Sequence, residues 1–170
     1  MTVSIEAIAS SPRLLRLSVL VALFLLLAQF VLGMFVNLYI GIPSGHPGSS
    51  ASFLTGAVPG LAWAIRASAP ALAVHTGLGI LLGISSLALL AIAIASRERP
   101  VVAAAAVGLL GTLGAGIGGV GFLNYGVDKT TFLMAVGFSV AMGAYVAALF
   151  AIPHPGWPAV LERDEAGARG

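Results

Sequence analysis

One histidine stands in the middle of an aliphatic run, "APALAVHTGLGILLG" (Ala69–Gly83), where His75 is the only ionisable side chain. An imidazole in such surroundings has three uses. It can hydrogen-bond to a neighbouring segment, ligate haem iron through one ring nitrogen, or handle a proton. For the first use the sequence offers Gln29 and Asn37 as side-chain partners, or a backbone carbonyl. Gln29, Gly33 and Asn37 are spaced four apart, so a helix puts all three on one face. Hydrogen bonding, haem ligation and proton handling all remain open from the residues alone.

Other chemistry is poorly supplied. Cysteine is absent, which removes disulfides, thiolate metal sites and thiol nucleophiles together. The chain has no H-E-x-x-H, no P-loop and no G-x-S-x-G. No carboxylate falls within the apolar runs, which argues against a proton-coupled pump. No catalytic residue is assigned.

The elements that must position His75 follow from composition. Of the 170 residues, 59% are hydrophobic and 8% charged, with a mean hydropathy of +1.06. Soluble domains carry about a quarter charged residues, so water is not the solvent for this surface. In a bilayer every backbone polar group must be satisfied within helices or a closed barrel. The apolar runs are continuous where barrel strands would alternate, so helices are predicted. Four runs reach the roughly 20 residues a span needs: about 17–42, 70–95, 101–123 and 131–152. The first is too long for a signal-peptide core and carries Gln29 and Asn37. The expected fold is an all-α integral membrane protein, a four-transmembrane-helix bundle. Residues 1–16 form an N-terminal segment, 17–152 the membrane domain, and 153–170 a polar tail.

Arg13 and Arg16 precede the first run, Arg97 and Arg99 separate the second from the third, and Arg163 and Arg169 follow the fourth. The positive-inside rule makes these regions cytoplasmic, in the cell membrane, with both termini inside. Basic residues so placed are topology signals and not a nucleic-acid surface. The segment 43–68 and the turn "NYGVDK" (Asn124–Lys129) then face outward. The first of these is long for a bundle connection, which usually takes about 2–8 residues. Its apolar portion, "FLTGAVPGLAWAI" (Phe53–Ile65), predicts a short interfacial or re-entrant helix with Trp63 as an interface anchor. His-Pro-Gly occurs twice, at His46–Gly48 and His154–Gly156, and reads as a turn that ends a helix in both places. Asp128 reads as an N-cap, with Thr130, for the fourth span.

Small residues are dense within the spans. Gly79 with Gly83, and Gly114 with Gly118, form two G-x-x-x-G pairs expected at close helix contacts. The alternative is that a glycine-lined face leaves room for a flat ligand such as a porphyrin.

These features together resemble one half of the heme A synthase family. "QFVLG" (Gln29–Gly33) is similar to the Q-x-x-x-G-like stretch on that family's first helix. The long outward loop leading to "VHTGLG" (Val74–Gly79) resembles its approach to a haem-ligand histidine near the outer end of the second helix. "GGVGFLNYG" and "FLMAVGFSV" look like its passage from third to fourth helix. The likeness spans roughly residues 17–150. It implies a four-helix half-bundle with both termini inside, and a b-type haem ligated by His75 near the outer leaflet.

The sequence also departs from that family. Thr76 follows His75 where the family has arginine, and the outward loop lacks the family's acidic residue and cysteines. The position of the partner histidine on the last helix is Gly137. Met134, one turn earlier, is the candidate substitute ligand, the alternative for it being ordinary packing. Arg66 is placed to neutralise a propionate or to anchor among headgroups. His75 is expected to point into the bundle, in one layer with Asn37 and Met134.

Two functions are carried forward. One is a haem-binding membrane protein built on His75, with Met134, Arg66, Asn37 and Gln29 around the cofactor. The other is a non-catalytic membrane subunit that keeps the scaffold without a cofactor and packs against lipid, a second copy or partner membrane proteins. A channel or transporter ranks third, because no pair of broken helices is evident. Reporter fusions test the topology: those after Ser50 and Gly126 should read as external and one after Arg99 as internal.

Overall fold

The computed structural model describes residues 11–49 and 51–153, without the side chain of Asp128. The N-terminal ten residues and the expected tail, with His154–Gly156, Arg163 and Arg169, lie outside the described residues. Five helices follow one another: α1 (Pro12–Tyr39), α2 (Phe53–Ala67), α3 (Pro70–Ser96), α4 (Arg99–Tyr125) and α5 (Asp128–Ala151).

Local chemistry sets the boundaries. Proline occupies the first turn of α1, α3 and α4, where its missing N–H costs nothing and its fixed φ suits a helix. The first helix therefore begins at Pro12, some way ahead of the apolar run that starts near residue 17. Gly126 closes α4 with φ 61°, and its N–H returns to the Phe122 carbonyl. At the other turn Arg97 takes the same left-handed conformation, φ 62°. The cap position of α5 is Val127, with Asp128 already the first helical residue, so the expected N-cap is displaced by one. Thr130 Oγ1 donates to the Val127 carbonyl at 2.5 Å.

Helices α1, α3, α4 and α5 are each long and apolar enough to cross a membrane. At 1.5 Å per residue, the 27 residues of α3 run about 40 Å, ample for a hydrocarbon core of about 30 Å. The 15 residues of α2 reach only about 22 Å. They form the expected short helix, laid over the ends of α3 and α4 as a cap. The four long helices form a ring in which α1 and α4 each lie between α3 and α5. Large side chains such as Phe24 (73% exposed) and Phe150 (86%) point outward, as a lipid-facing surface requires.

The tightest seam joins α4 to α5. A Cβ at Gly111 would lie 2.6 Å from Ala141 N and 2.7 Å from Gly137 O. One at Gly137 would lie 2.5 Å from Ala115 N and 2.6 Å from Gly111 O. The backbones therefore touch, as small residues permit in lipid. Along the same seam Gly118 receives Thr130 and Met134, Gly121 receives the Thr130 methyl, and Gly108 receives the Tyr145 ring. These glycines are covered by α5. The expected pairs are each half correct. Gly118 and Gly79 lie in contacts, but Gly114 and Gly83 have nothing within 4 Å. The close approach follows the register Gly108, Gly111, Ala115 and Gly118, with Gly111 and Ala115 against Gly137 and Ala141, and with Gly108 and Gly118 receiving larger side chains of α5.

Two apolar clusters result. The larger, away from the cap, joins Leu15, Val19, Ala22 and Leu26 of α1 to Leu89, Ala105, Tyr145 and Ala148. The smaller, under α2, joins Val36, Ala64, Leu72 and Leu123. At the end opposite α2, the Arg16 guanidinium donates to the carbonyls of Ile152 and Pro153, both at 3.2 Å. A cation is favoured there by the α5 C-terminus.

Substituting leucine at Gly111 or Gly137 should overpack the seam by about 1–3 kcal/mol or more. Gly114→Leu and Gly83→Leu, with open space around them, should be neutral or slightly stabilising through helix propensity. Thermal midpoints in detergent separate the two classes.

Candidate functional site

His75 lies five residues into α3, on the face turned to α1. There the Gln29 amide Nε2 donates to the His75 carbonyl at 3.1 Å and stands 3.4 Å from His75 Nε2. With the amide donating, Nε2 of the ring accepts and the ring proton sits on Nδ1. Each of the two side chains rests on a glycine of the opposite helix. A Cβ at Gly33 would lie 2.9 Å from His75 Cε1, and one at Gly79 would lie 3.1 Å from Gln29 Nε2. Q-x-x-x-G on α1 thus meets H-x-x-x-G on α3 running the other way, each large polar residue over the other's glycine.

The pairing uses only part of the polar capacity. His75 Nδ1 and Gln29 Oε1 are enclosed and have no hydrogen-bond partner among the described residues. One donor and one acceptor are left in a half-buried setting.

The remaining expected site residues are dispersed. Asn37 is exposed, two turns beyond Gln29 on α1. Its place as the helix-one partner of His75 is taken by Gln29, because α1 and α3 cross where Gly33 admits the imidazole. Met134 is half-buried on α5 and packs on α4, with its Cγ 2.9 Å from a Cβ at Gly118 and its Sδ 3.6 Å from one at Gly119. The expected layer of His75, Asn37 and Met134 is thus not formed: His75 lies in the α1–α3 seam, Met134 in the α4–α5 seam and Asn37 on the surface. Arg66 is exposed in the last turn of α2. No group of three or more His, Cys, Asp or Glu residues is gathered for a metal among the described residues. An open apolar groove runs along α1, lined by Phe24, Ala28, Val31, Leu32, Phe35 and Leu78 of α3 among others.

A second polar centre was missed by sequence reasoning. His46 is not merely a turn residue. It is 6% exposed, with Nε2 donating to the Leu123 carbonyl at 2.8 Å and Nδ1 facing the Pro47 carbonyl at 2.9 Å. Its ring stacks on Trp63 of α2 at 4.5 Å and 20°. Trp63 is therefore an internal contact as well as an apolar residue near an interface. Gly48, at φ 101°, brings the loop backbone onto Gly56 and Gly60 of α2. Gly56 and Gly60 also receive the Asn124 amide, which is 4% exposed. Neither Asn124 Oδ1 nor Nδ2 has a hydrogen-bond partner among the described residues. The sequence signal was a histidine and a tryptophan in one long loop, but nothing in their spacing fixes the pairing.

Against known proteins, no family model, no curated protein and no solved structure matches this chain.

Gln29→Leu keeps volume while removing the partner of an enclosed imidazole, and Gly33→Ala pushes a methyl into its ring. Each should cost about 0.5–2 kcal/mol, the range of interhelical hydrogen bonds in membranes. Their thermal midpoints in detergent should fall below that of Asn37→Leu, whose parent side chain is exposed.

Proposed function

We propose that the chain is a non-catalytic multi-pass membrane protein: a scaffold similar to half of a heme A synthase, with its intramembrane histidine used as interhelical glue. One observation carries this reading. Gly137, where the resemblance would put the second axial histidine, is pressed backbone to backbone on Gly111 and Ala115. A side chain there would force α4 and α5 apart. The anchor and its substitute partner are already engaged, His75 with α1 and Met134 with α4. The outward apolar faces are then the working surfaces, packing on lipid, a second copy or partner membrane proteins. Arg13, Arg16, Arg97 and Arg99 gather at the end opposite α2, which supports a cytoplasmic location for both termini.

Haem binding is the second reading, and His75 Nδ1 favours it as an enclosed ring nitrogen with no described partner. Ligation through that atom would require the other tautomer, with the ring proton on Nε2 and the Gln29 amide turned so that its Oε1 accepts it, and Arg66 on the cap would meet a propionate.

An absorption spectrum separates the two. Protein purified from haem-replete cells should show no Soret band, and His75→Ala should change stability alone. A stoichiometric band abolished by His75→Ala and shifted by Met134→Ala would overturn the scaffold reading.

A further inference from the structure

Arg66 is the only arginine, lysine or acidic residue between Arg16 and Arg97. It stands exposed in the last turn of α2, with no hydrogen-bond or ion-pair partner among the described residues. A few residues further on, Pro70 opens α3. The contacts between α1 and α3 fix what lies opposite that end. Gln29 meets Gly79 and Gly33 meets His75, and extending this antiparallel register to the helix ends sets Pro70 opposite Leu38. The lone cation therefore sits at the capped end of the α1–α3 seam.

The apolar groove runs down the same seam. Ala28 and Leu32 of α1 and Leu78 of α3 are half-buried and form its floor, and the exposed Phe24 and Phe35 stand at its two ends. Tyr39 carries the wall on toward the cap, its ring 5.1 Å from that of Phe35. It is 70% exposed, so its phenol is free to reach the polar layer where membrane tyrosines concentrate. From Phe24 to Phe35 the helix rises about 16 Å. That is the depth of one leaflet, half of a hydrocarbon core of about 30 Å.

We propose that this groove holds one phospholipid with an anionic headgroup, drawn from the leaflet on the α2 side: its phosphate lies on the Arg66 guanidinium and one acyl chain lies along the floor toward Phe24. Charge selects the headgroup. No acidic residue lies between Glu6 and Glu98, so α1, α2 and α3 offer Arg66 no counter-ion. A phosphodiester supplies one, and guanidinium binds phosphate through paired N–H donors. A zwitterionic headgroup brings its own cation to the same place and cancels part of the gain. Lys129, the other cation at this end, belongs to α5, across the ring from α3. The groove selects the chain, being one seam wide and one leaflet deep. The proposal rests on the scaffold reading, in which the outward faces are the working surfaces. A Soret band tests that reading, and none of the measurements below does.

The chain has no cysteine, so a single one carries a bimane fluorophore in the full-length protein. Val31→Cys places the label in the groove, and Ile117→Cys places it on the exposed face of α4. Both positions lie about 12 Å from the helix ends at Tyr39 and Tyr125. In dioleoylphosphatidylcholine vesicles, chain-brominated phosphatidylglycerol or phosphatidylcholine quenches a label beside which it binds. At position 31 the phosphatidylglycerol should bind roughly fivefold more tightly than the phosphatidylcholine, the scale of one basic residue at an anionic membrane surface. At position 117 the two lipids should be equal. Arg66→Gln should abolish the preference at position 31 and Arg66→Lys should keep most of it, and both change an exposed residue. Ala28→Leu, which fills the floor, should abolish it with Arg66 in place. Equal binding at position 31, a preference surviving Arg66→Gln or Ala28→Leu, or the same preference at position 117 would each overturn the site. Disulfide-linked dimers of the unlabelled Val31→Cys protein, with no quenching by either lipid, would put a second copy in the groove and overturn it as well.

Discussion

Backbone contact between Gly111 and Gly137 is the constraint on which the rest of the bundle is arranged. In hydrocarbon, apolar side chains gain little by leaving lipid for one another, so helix pairing depends on close van der Waals fit. The α4–α5 seam achieves that fit by removing side chains from both partners at one crossing. From that crossing the register is set in both directions: Tyr145 is brought over Gly108, and Thr130 and Met134 are brought over Gly118. Tyr145 becomes 0% exposed and a principal member of the larger apolar cluster. Helices α1 and α3 then close the ring against this pair.

The looser seams are held by polar groups. Ser86 of α3 and Thr112 of α4 are both buried, with their hydroxyls 3.3 Å apart, and Thr112 also donates to the Gly108 carbonyl at 3.0 Å. Gln29 and His75 perform the same task between α1 and α3. Such bonds are directional where dispersion is not, so they fix which turn of one helix faces which turn of the next. At the capped end His46 serves a loop in this way, taking the place that a side chain from a neighbouring span would otherwise fill.

Much of this was legible in the sequence. Continuous apolar runs gave four spans to within a few residues at most ends, since hydrophobic length and first-turn prolines are local properties. The short cap helix was legible for the same reason. That His75 turns inward, toward a face bearing Gln29 and Gly33, followed from the cost of an unpaired imidazole in lipid. What was not legible was register. A helix as rich in glycine as α4 offers several overlapping small-residue rows, and Gly114 looked as good as Gly111 until α5 chose between them. Asn37 and Met134 were placed beside His75 by counting turns from helix ends. That counting ignores how the axes cross. His46 was hidden because its partners lie on two other elements, Trp63 on α2 and Leu123 on α4, and no local pattern announces a contact of that kind.

The hydrogen bonds from Arg16 to the carbonyls of Ile152 and Pro153 join positions separated by nearly the whole described chain. Synthesis is vectorial, so the helix bearing Arg16 enters the membrane long before its acceptors exist. Until the final span arrives, the first has an open flank and a guanidinium whose carbonyl acceptors have not yet been made. Completion of the ring is therefore a late event in biogenesis, sealed by the two residues that follow α5. A polypeptide truncated before Ile152 would insert its early spans and still present an unfinished flank to the quality-control machinery of the membrane.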